Sequence, residues 1–264
     1  MTTSAQTTAP ATELNSRLPE QAERQLVEEA PIAITLNGIH FSVMLASPYD
    51  LEDFAFGYLL SERIIHDRIQ IRDVESSPLE QGIQLNVTLS NRQLQQFKHQ
   101  QRQLKGTSGC GLCGKQAMAL AFPVLDKLPL RPCLPKPRIQ QLKSQLSSWQ
   151  LRAKSSGAMH AAFWVNGNGD ILSCREDIGR HNAVDKLIGH GLRKGFDRHN
   201  ASILVTSRCS VEIVQKAILC GVATLISLAS PTRLAVEYAR QHHLNLVHIP
   251  KKDAPSLYTA GTFE

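Results

Sequence analysis

The sequence predicts an α/β protein in two parts: a small α+β domain over residues 29–104 and a layered α/β domain over 138–264, joined by 105–137. Three observations carry this expectation. Asn37-Gly38 stands between two alternating apolar runs, the strongest short-range signal for a β-hairpin. Five prolines fall between Pro123 and Pro137, which breaks regular structure and marks a domain boundary. Beyond Arg138, helical and strand patterns alternate with short connections, the signature of helices layered on a largely parallel sheet. A chain of 264 residues can bury roughly three quarters of its unfolded surface, so a substantial core is available.

Taken in order, residues 1–28 are polar and rich in Thr, Ala and Gln, without the basic start and apolar stretch of a secretory signal, and read as a disordered lead-in. Ile32 to Leu36 and Ile39 to Leu45 form the hairpin. Ser47-Pro48-Tyr49-Asp50 combines a capping hydroxyl, a proline at the first helical position and a carboxylate three residues on, so a helix is expected from Pro48 to Ser61 with Leu51, Phe54, Ala55, Tyr58 and Leu59 buried. Gln84 to Leu89 alternates as a strand, and Arg92 to Gln103 reads as a polar, basic helix. Its Arg92, Lys98 and Arg102, with Lys105, are either a solvated face or a docking surface for an acidic partner, the first being the plainer reading. The second half begins with a helix over Arg138 to Trp149 and a strand pair, His160 to Val165 with Ile171 to Cys174. Helices then follow at His181 to Leu192, Val211 to Cys220 and Pro231 to Gln241, interleaved with strands at Ser202 to Thr206, Thr224 to Leu228 and Leu244 to Ile249.

The stretch Lys105 to Lys115 holds Cys110 and Cys113 among four glycines. Glycine accepts positive φ and close backbone approach, so the pair is expected on a mobile loop. Structural zinc needs a second ligand pair, and Cys133, Cys174, Cys209 and Cys220 stand singly. A thioredoxin-like dithiol opens a helix, which these glycines blunt. A carrier cysteine that holds a sulfane sulfur as a persulfide needs a nucleophilic thiolate on a swinging loop, which open amides and the flanking Lys105 and Lys115 favour. Two incidental surface thiols are the fourth possibility.

Six cysteines without a disulfide-like framework suggest a reducing, cytoplasmic setting. No apolar run reaches transmembrane length. A net charge of +6 and a pI near 9.1 favour an anionic partner. Only 5% of residues are aromatic and no stacking motif is present, which argues against nucleic acid. Ligands of layered α/β domains gather beyond strand ends, where helix amides point outward. Three polar turns are expected there: 173–182, 207–212 with Arg208 and Ser210, and 229–232 with Ser230 and Thr232. Their hydroxyls, amides and Arg175, Arg180 and Arg208 suit a nucleotide phosphate. The plainer alternatives are that Arg175, Glu176, Asp177 and Arg180 pair with one another, that Ser230 is a simple helix cap, and that His160 is a core histidine. The His-x-Glu and Pro-Cys-x-x-Cys motifs of a zinc deaminase are missing.

Gly109-Cys110-Gly111-Leu112-Cys113-Gly114, the run from Arg175 to Leu187, the run from Ser207 to Lys216, and Ala46-Ser47-Pro48 with Leu51 to Tyr58 together resemble the formate dehydrogenase accessory sulfurtransferases, the FdhD family, over Glu29 to Thr259. The resemblance implies a cytoplasmic, homodimeric sulfur carrier. Such a carrier receives sulfur from a cysteine desulfurase and passes it to the molybdenum cofactor, in its bis(molybdopterin guanine dinucleotide) form, for formate dehydrogenase. It implies Cys110 as the persulfide carrier with Cys113 in support, and a second half with a cytidine deaminase-like fold that holds no zinc. The family's Arg/Gly-bearing cofactor stretch falls here on Ile249, Pro250, Lys251, Lys252, Asp253 and Ala254, where lysine supplies a point charge in place of a planar fork. A non-catalytic cofactor chaperone with structural cysteines is the alternative.

Overall fold

The computed structural model describes residues 8–12, 21–106 and 122–259. The lead-in, expected to lack order, holds an antiparallel pair, β1 (Thr8–Thr12) with β2 (Gln21–Gln25). A backbone ladder needs no apolar side chains, so the polar composition gave no warning of it. The hairpin forms as expected from β3 (Ala30–Leu36) and β4 (Ile39–Ala46). Asn37 and Gly38 have φ of 49° and 78°, the two positive values a type I′ turn needs. Ile32, Ile34 and Leu36 point inward from alternate positions.

The next helix, α1 (Leu51–Ser61), starts later than Pro48. Asp50, in the left-handed region at φ 54°, occupies the cap position. Ser47 is held elsewhere: its hydroxyl accepts from the Ile178 amide at 3.2 Å and its own amide donates to Asp177 at 3.0 Å. A long-range buried contact thus overrides the local capping pattern. Strand β5 (Ile71–Leu79), which the sequence analysis did not anticipate, is exposed over most of its length and carries Pro78, so it has no apolar period to read. With β6 (Gly82–Leu89) it completes a four-stranded sheet in the order β4-β3-β6-β5, in which β3 and β6 run parallel. Helix α2 (Asn91–Gly106) follows, and its Phe97 packs edge-on against Phe41 with ring centroids 5.7 Å apart.

After the proline-rich stretch come α3 (Lys136–Trp149), the short α4 (Ala153–Ser156), β7 (His160–Val165) and β8 (Ile171–Asp177). Then α5 (Arg180–Lys194), β9 (Ser202–Val205), α6 (Val211–Cys220), β10 (Thr224–Ser227), α7 (Arg233–Gln241), β11 (Asn245–His248) and β12 (Ser256–Leu257) complete the chain. The sheet order is β12-β11-β10-β9-β7-β8. Only the β9–β10 and β10–β11 pairs are parallel, while the β12–β11, β9–β7 and β7–β8 pairs are antiparallel, so the sheet is mixed and not largely parallel. The tight Asn166–Asp170 connection is the reason on the β7 side, because a short turn joins antiparallel neighbours while a parallel pair needs a crossover. Both faces are buried. Ala162, Trp164, Ile203, Val205, Leu225 and Leu246 face one core, while Phe163, Leu204, Ile226 and Val247 alternate to the other, beneath Ile139, Leu142 and Leu146 of α3.

The first of these cores runs through both halves of the chain, because α1 lies against α5. A Cβ on Gly57 would come within 1.7 Å of the Asp185 carbonyl oxygen, and one on Gly189 within 1.8 Å of the Asp53 carbonyl oxygen. Neither backbone can yield without separating the helices. Around this crossing, Lys186 and Asp177 form a fully buried ion pair at 2.6 Å, and Lys186 also donates to the Ser47 carbonyl at 2.8 Å. Asp185 accepts from Ser61 at 2.6 Å and from Lys216 at 2.7 Å, tying α1, α5 and α6 together.

Gly57→Ala is therefore expected to lower unfolding free energy by about 3 kcal/mol, at the upper end for an overpacked contact. Both tryptophans, Trp149 and Trp164, lie in the second half, so tryptophan fluorescence during urea unfolding reads the effect across the shared core. A fluorescence midpoint unmoved by this first-half substitution would contradict the coupling.

Candidate functional site

Strands β9, β10 and β11 end at one edge of the sheet, and the polar turns follow from there. The 207–210 and 229–232 turns lie side by side: Cys209 and Pro231 form a parallel bridge, and the Thr232 amide donates to the Cys209 carbonyl at 3.1 Å. The third segment joins them through the Ile249 amide, which donates to the Ser227 carbonyl at 2.9 Å. The structure thus gathers Arg208, Ser210, Ser230, Thr232 and the 249–254 segment at one edge. Arg208, Ser230, Thr232, Lys251, Lys252, Asp253 and Ala254 are exposed, Pro250 is half-buried and Ile249 is buried.

Individual roles differ from expectation. Ser230 does not cap α7; Thr232 does, its hydroxyl accepting from the Ala235 amide at 3.1 Å. The Cys209–Pro231 bridge keeps the chain extended through Pro231, so the helix begins at Arg233. Ser210 occupies the cap position of α6, yet its hydroxyl donates to Glu212 at 3.1 Å. Glu212 also contacts His181 Nε2 at 3.0 Å, which links the first turns of α5 and α6. The carboxylates of the 175–180 run do not pair with its own arginines. Arg175 reaches Asp53 on α1 at 2.7 Å, Glu176 accepts from the Arg152 and Ala153 amides at 2.9 and 2.8 Å, and Asp177 takes Lys186.

Arg180 is left facing this edge. Its Nε is buried without an acceptor among the described residues, a donor that an anion can satisfy. Burial first, and Arg180 second, hold the imidazoles of His160 and His181 below the ordinary histidine range. Both are thus neutral near pH 7. Sequence reasoning missed two contributors. Glu212 was readable as the carboxylate two residues after Ser210, whereas Lys143 on α3 had no local signal: its ammonium donates to the Pro250 and Lys251 carbonyls, each at 3.0 Å, bracing the 249–254 segment from the far face. Cys110 and Cys113 lie outside the described residues. Of the others, Cys209 is buried and its thiol is pushed up to about 12 by burial, so it is an inert packing residue.

A family model for FdhD/NarQ proteins matches residues 27–262. The chain belongs to the FdhD/NarQ family. The sulfur carrier protein FdhD of Variovorax paradoxus (strain S110) is 38% identical over 231 residues, 88% of this chain and 83% of that protein. The crystal structure of a candidate formate dehydrogenase accessory protein from Desulfotalea psychrophila shares the fold, with a TM-score of 0.73 at 22% identity over 96% of each chain. In this FdhD/NarQ member the strand-end edge therefore offers a cationic surface of Arg180, Arg208, Lys251 and Lys252, helix-start amides at α6 and α7, and two neutral imidazoles.

That electrostatic arrangement has a pH signature. The folded imidazoles of His160 and His181 bind fewer protons than unfolded ones between their lowered values and the ordinary value of about 6.5, so folding stability falls as pH drops through that window. A bound anion reverses the local preference by favouring the imidazolium. The ratio of GDP affinity in the parent to that in a His160→Gln/His181→Gln variant, titrated calorimetrically at each pH so that protonation of the GDP phosphate cancels, is thus expected to rise as pH falls from about 7.5 to about 5.5. Arg208→Ala is expected to weaken GDP about tenfold at pH 7, the loss of one charge-assisted bond. An unchanged affinity in Arg208→Ala would remove this residue from the site.

Proposed function

We propose that the protein is a sulfur carrier for formate dehydrogenase maturation, in which Cys110 accepts sulfur from a cysteine desulfurase and passes it to the bis(molybdopterin guanine dinucleotide) molybdenum cofactor. The observation that supports this reading is the family match over residues 27–262, which spans the Gly109–Gly114 motif with both cysteines. The Cys110 thiolate attacks the terminal sulfur of the donor persulfide. A new S–S bond forms on Cys110, the donor S–S bond breaks, and the donor thiolate leaves, with no net oxidation. In delivery, the Cys113 thiolate attacks the inner sulfur of Cys110 and the outer sulfur departs as hydrosulfide. Its two-electron reduction is balanced by oxidation of the pair to a disulfide, which a dithiol reductant reopens.

On this reading the cofactor is the substrate, and its guanine dinucleotide phosphates lie along the strand-end edge. Amides at the starts of α6 and α7, with Arg208, Ser210, Ser230, Thr232 and the 249–254 segment, supply the anion contacts. A cytidine deaminase-like second half, a homodimer and a cytoplasmic location belong to the same proposal.

Incubation with a desulfurase and cysteine is expected to add one reductant-labile sulfur to the Cys110 peptide, read by mass spectrometry. Cys110→Ala is expected to abolish both loading and maturation of formate dehydrogenase. Cys113→Ala is expected to load fully but deliver less. Sulfur carried on Cys113 in a Cys110→Ala protein that still supports maturation would show that the nucleophile is misassigned.

A further inference from the structure

The strand-end edge accounts for a small anionic substrate but not for a protein that must bring sulfur to the cysteine segment. Such a protein needs a surface of its own, and the first half holds one. Between the end of α1 and the outer side of α2 lies an open groove of about 450 Å³, lined by Arg63, His66, Gln93, Gln95, Gln96 and His99. Its floor is fixed: Gln93 is buried, donates to the Ile64 carbonyl and accepts from Gln70 at 2.8 Å. No carboxylate is among the lining residues. The two acids nearest in sequence are engaged mainly elsewhere. Glu62 interacts with Lys216 and Asp185 ahead of the groove's Arg63, and Asp67 accepts from the Ile69 amide at 3.1 Å within a capping box.

The sequence extends this asymmetry. Between Glu80 and Asp126 there is no Asp or Glu, while Arg92, Lys98, Arg102, Lys105 and Lys115 all fall there. The acid-free stretch contains the whole of α2 and both cysteines. Where the chain resumes, Phe122 packs beside Tyr238 of α7 and the Tyr238 hydroxyl donates to the Pro123 carbonyl at 2.9 Å. Arg63 acts electrostatically on the same tyrosine. The groove therefore lies near the point where the cysteine segment returns to the fold.

We propose that this groove docks an acidic segment of the sulfur-donating protein, holding it while Cys110 attacks the donor persulfide. The inference rests on the sulfur-carrier reading above. Charge complementarity at such a surface chiefly sets encounter and partner choice, while the transfer step itself is left to the thiols. The groove offers glutamine amides, the Arg63 guanidinium and two imidazoles to carboxylates, and its lining includes no Phe, Tyr or Trp on which a base would stack.

The test is an Arg63→Glu/His99→Glu variant, with Arg63→Gln as a milder companion. Arg63 already sits at φ 58°, where glutamate is no more strained than arginine. Persulfide on Cys110 is measured against desulfurase concentration, and separately with inorganic polysulfide, which donates a sulfane sulfur without docking. The double variant is expected to raise the half-saturating desulfurase concentration about tenfold or more, leave the saturated rate unchanged, and lose the salt sensitivity of the parent. Polysulfide loading is expected to match the parent, which also shows that the variant is folded. Desulfurase loading equal to the parent overturns the groove as the docking surface, and so does equal impairment with both sulfur sources. Loss of duplex oligonucleotide binding with sulfur transfer intact would assign the groove to nucleic acid instead. A parent protein that takes sulfur from neither source removes the carrier reading and the groove's role with it.

Discussion

Two glycines in contact, Gly57 on α1 and Gly189 on α5, set the distance at which the two halves of the molecule meet. Each backbone presses against a carbonyl of the other helix, Asp185 from one side and Asp53 from the other, with no room for a single methyl group. Glycine within a helix costs roughly 1 kcal/mol relative to alanine in local propensity. Here that local cost permits close packing of a helix from the first half against one from the second. The crossing is what makes the buried polar contacts around it possible, because Lys186, Asp177 and Ser47 meet only if the helices approach this closely.

Those polar contacts fix orientation where an apolar interface alone would let the helices slide. A fully buried Lys–Asp pair is weak evidence of net stability, since desolvation opposes the Coulomb attraction, but leaving either partner unpaired is costly. Burial pushes the Lys186 ammonium below its usual range, and Asp177 opposes that shift. The same logic places Arg175, Arg193 and His190 around the buried Asp53 carboxylate. With the carboxylates of the 175–185 run consumed inward, the acids left at the strand-end edge are Glu212, bonded to Ser210 and His181, and Asp253 beside Lys252. Cations outnumber acids there because the crossing beneath has taken the others.

A division of surfaces follows. The strand-end edge is braced from both sides of the sheet, by the Cys209–Pro231 bridge on one turn and by Lys143 beneath the 249–254 segment. It is suited to a small, multiply charged substrate held by backbone amides and a few cations. The α1–α2 groove is broad, open and polar, suited to a peptide segment and not to a cofactor. Both lie on a rigid core, and the cysteine segment connects to that core at α2 and at Phe122.

The sequence by itself determined most of the elements, because each had a strong local cause. The type I′ hairpin follows from Asn37-Gly38, α6 follows from its apolar period and runs over the expected Val211–Cys220, and the family was readable from the long ordered runs around Cys110, Arg175 and Ser207. Strand β5 was hidden because exposure leaves no period. Tertiary structure alone decided the cap of α1, the mixed direction of the second sheet, the partners of Arg175, Glu176 and Asp177, and the bracing by Lys143. For the cap of α1, the partner of Arg175 and the bracing by Lys143 the deciding contact spans more than a hundred residues, as with Ser47 and Asp177 or Lys143 and Pro250. A local pattern lists what a side chain can bond to, whereas burial selects which bond must form, since a buried charge or hydroxyl without its partner costs more than a cap or an exposed ion pair contributes.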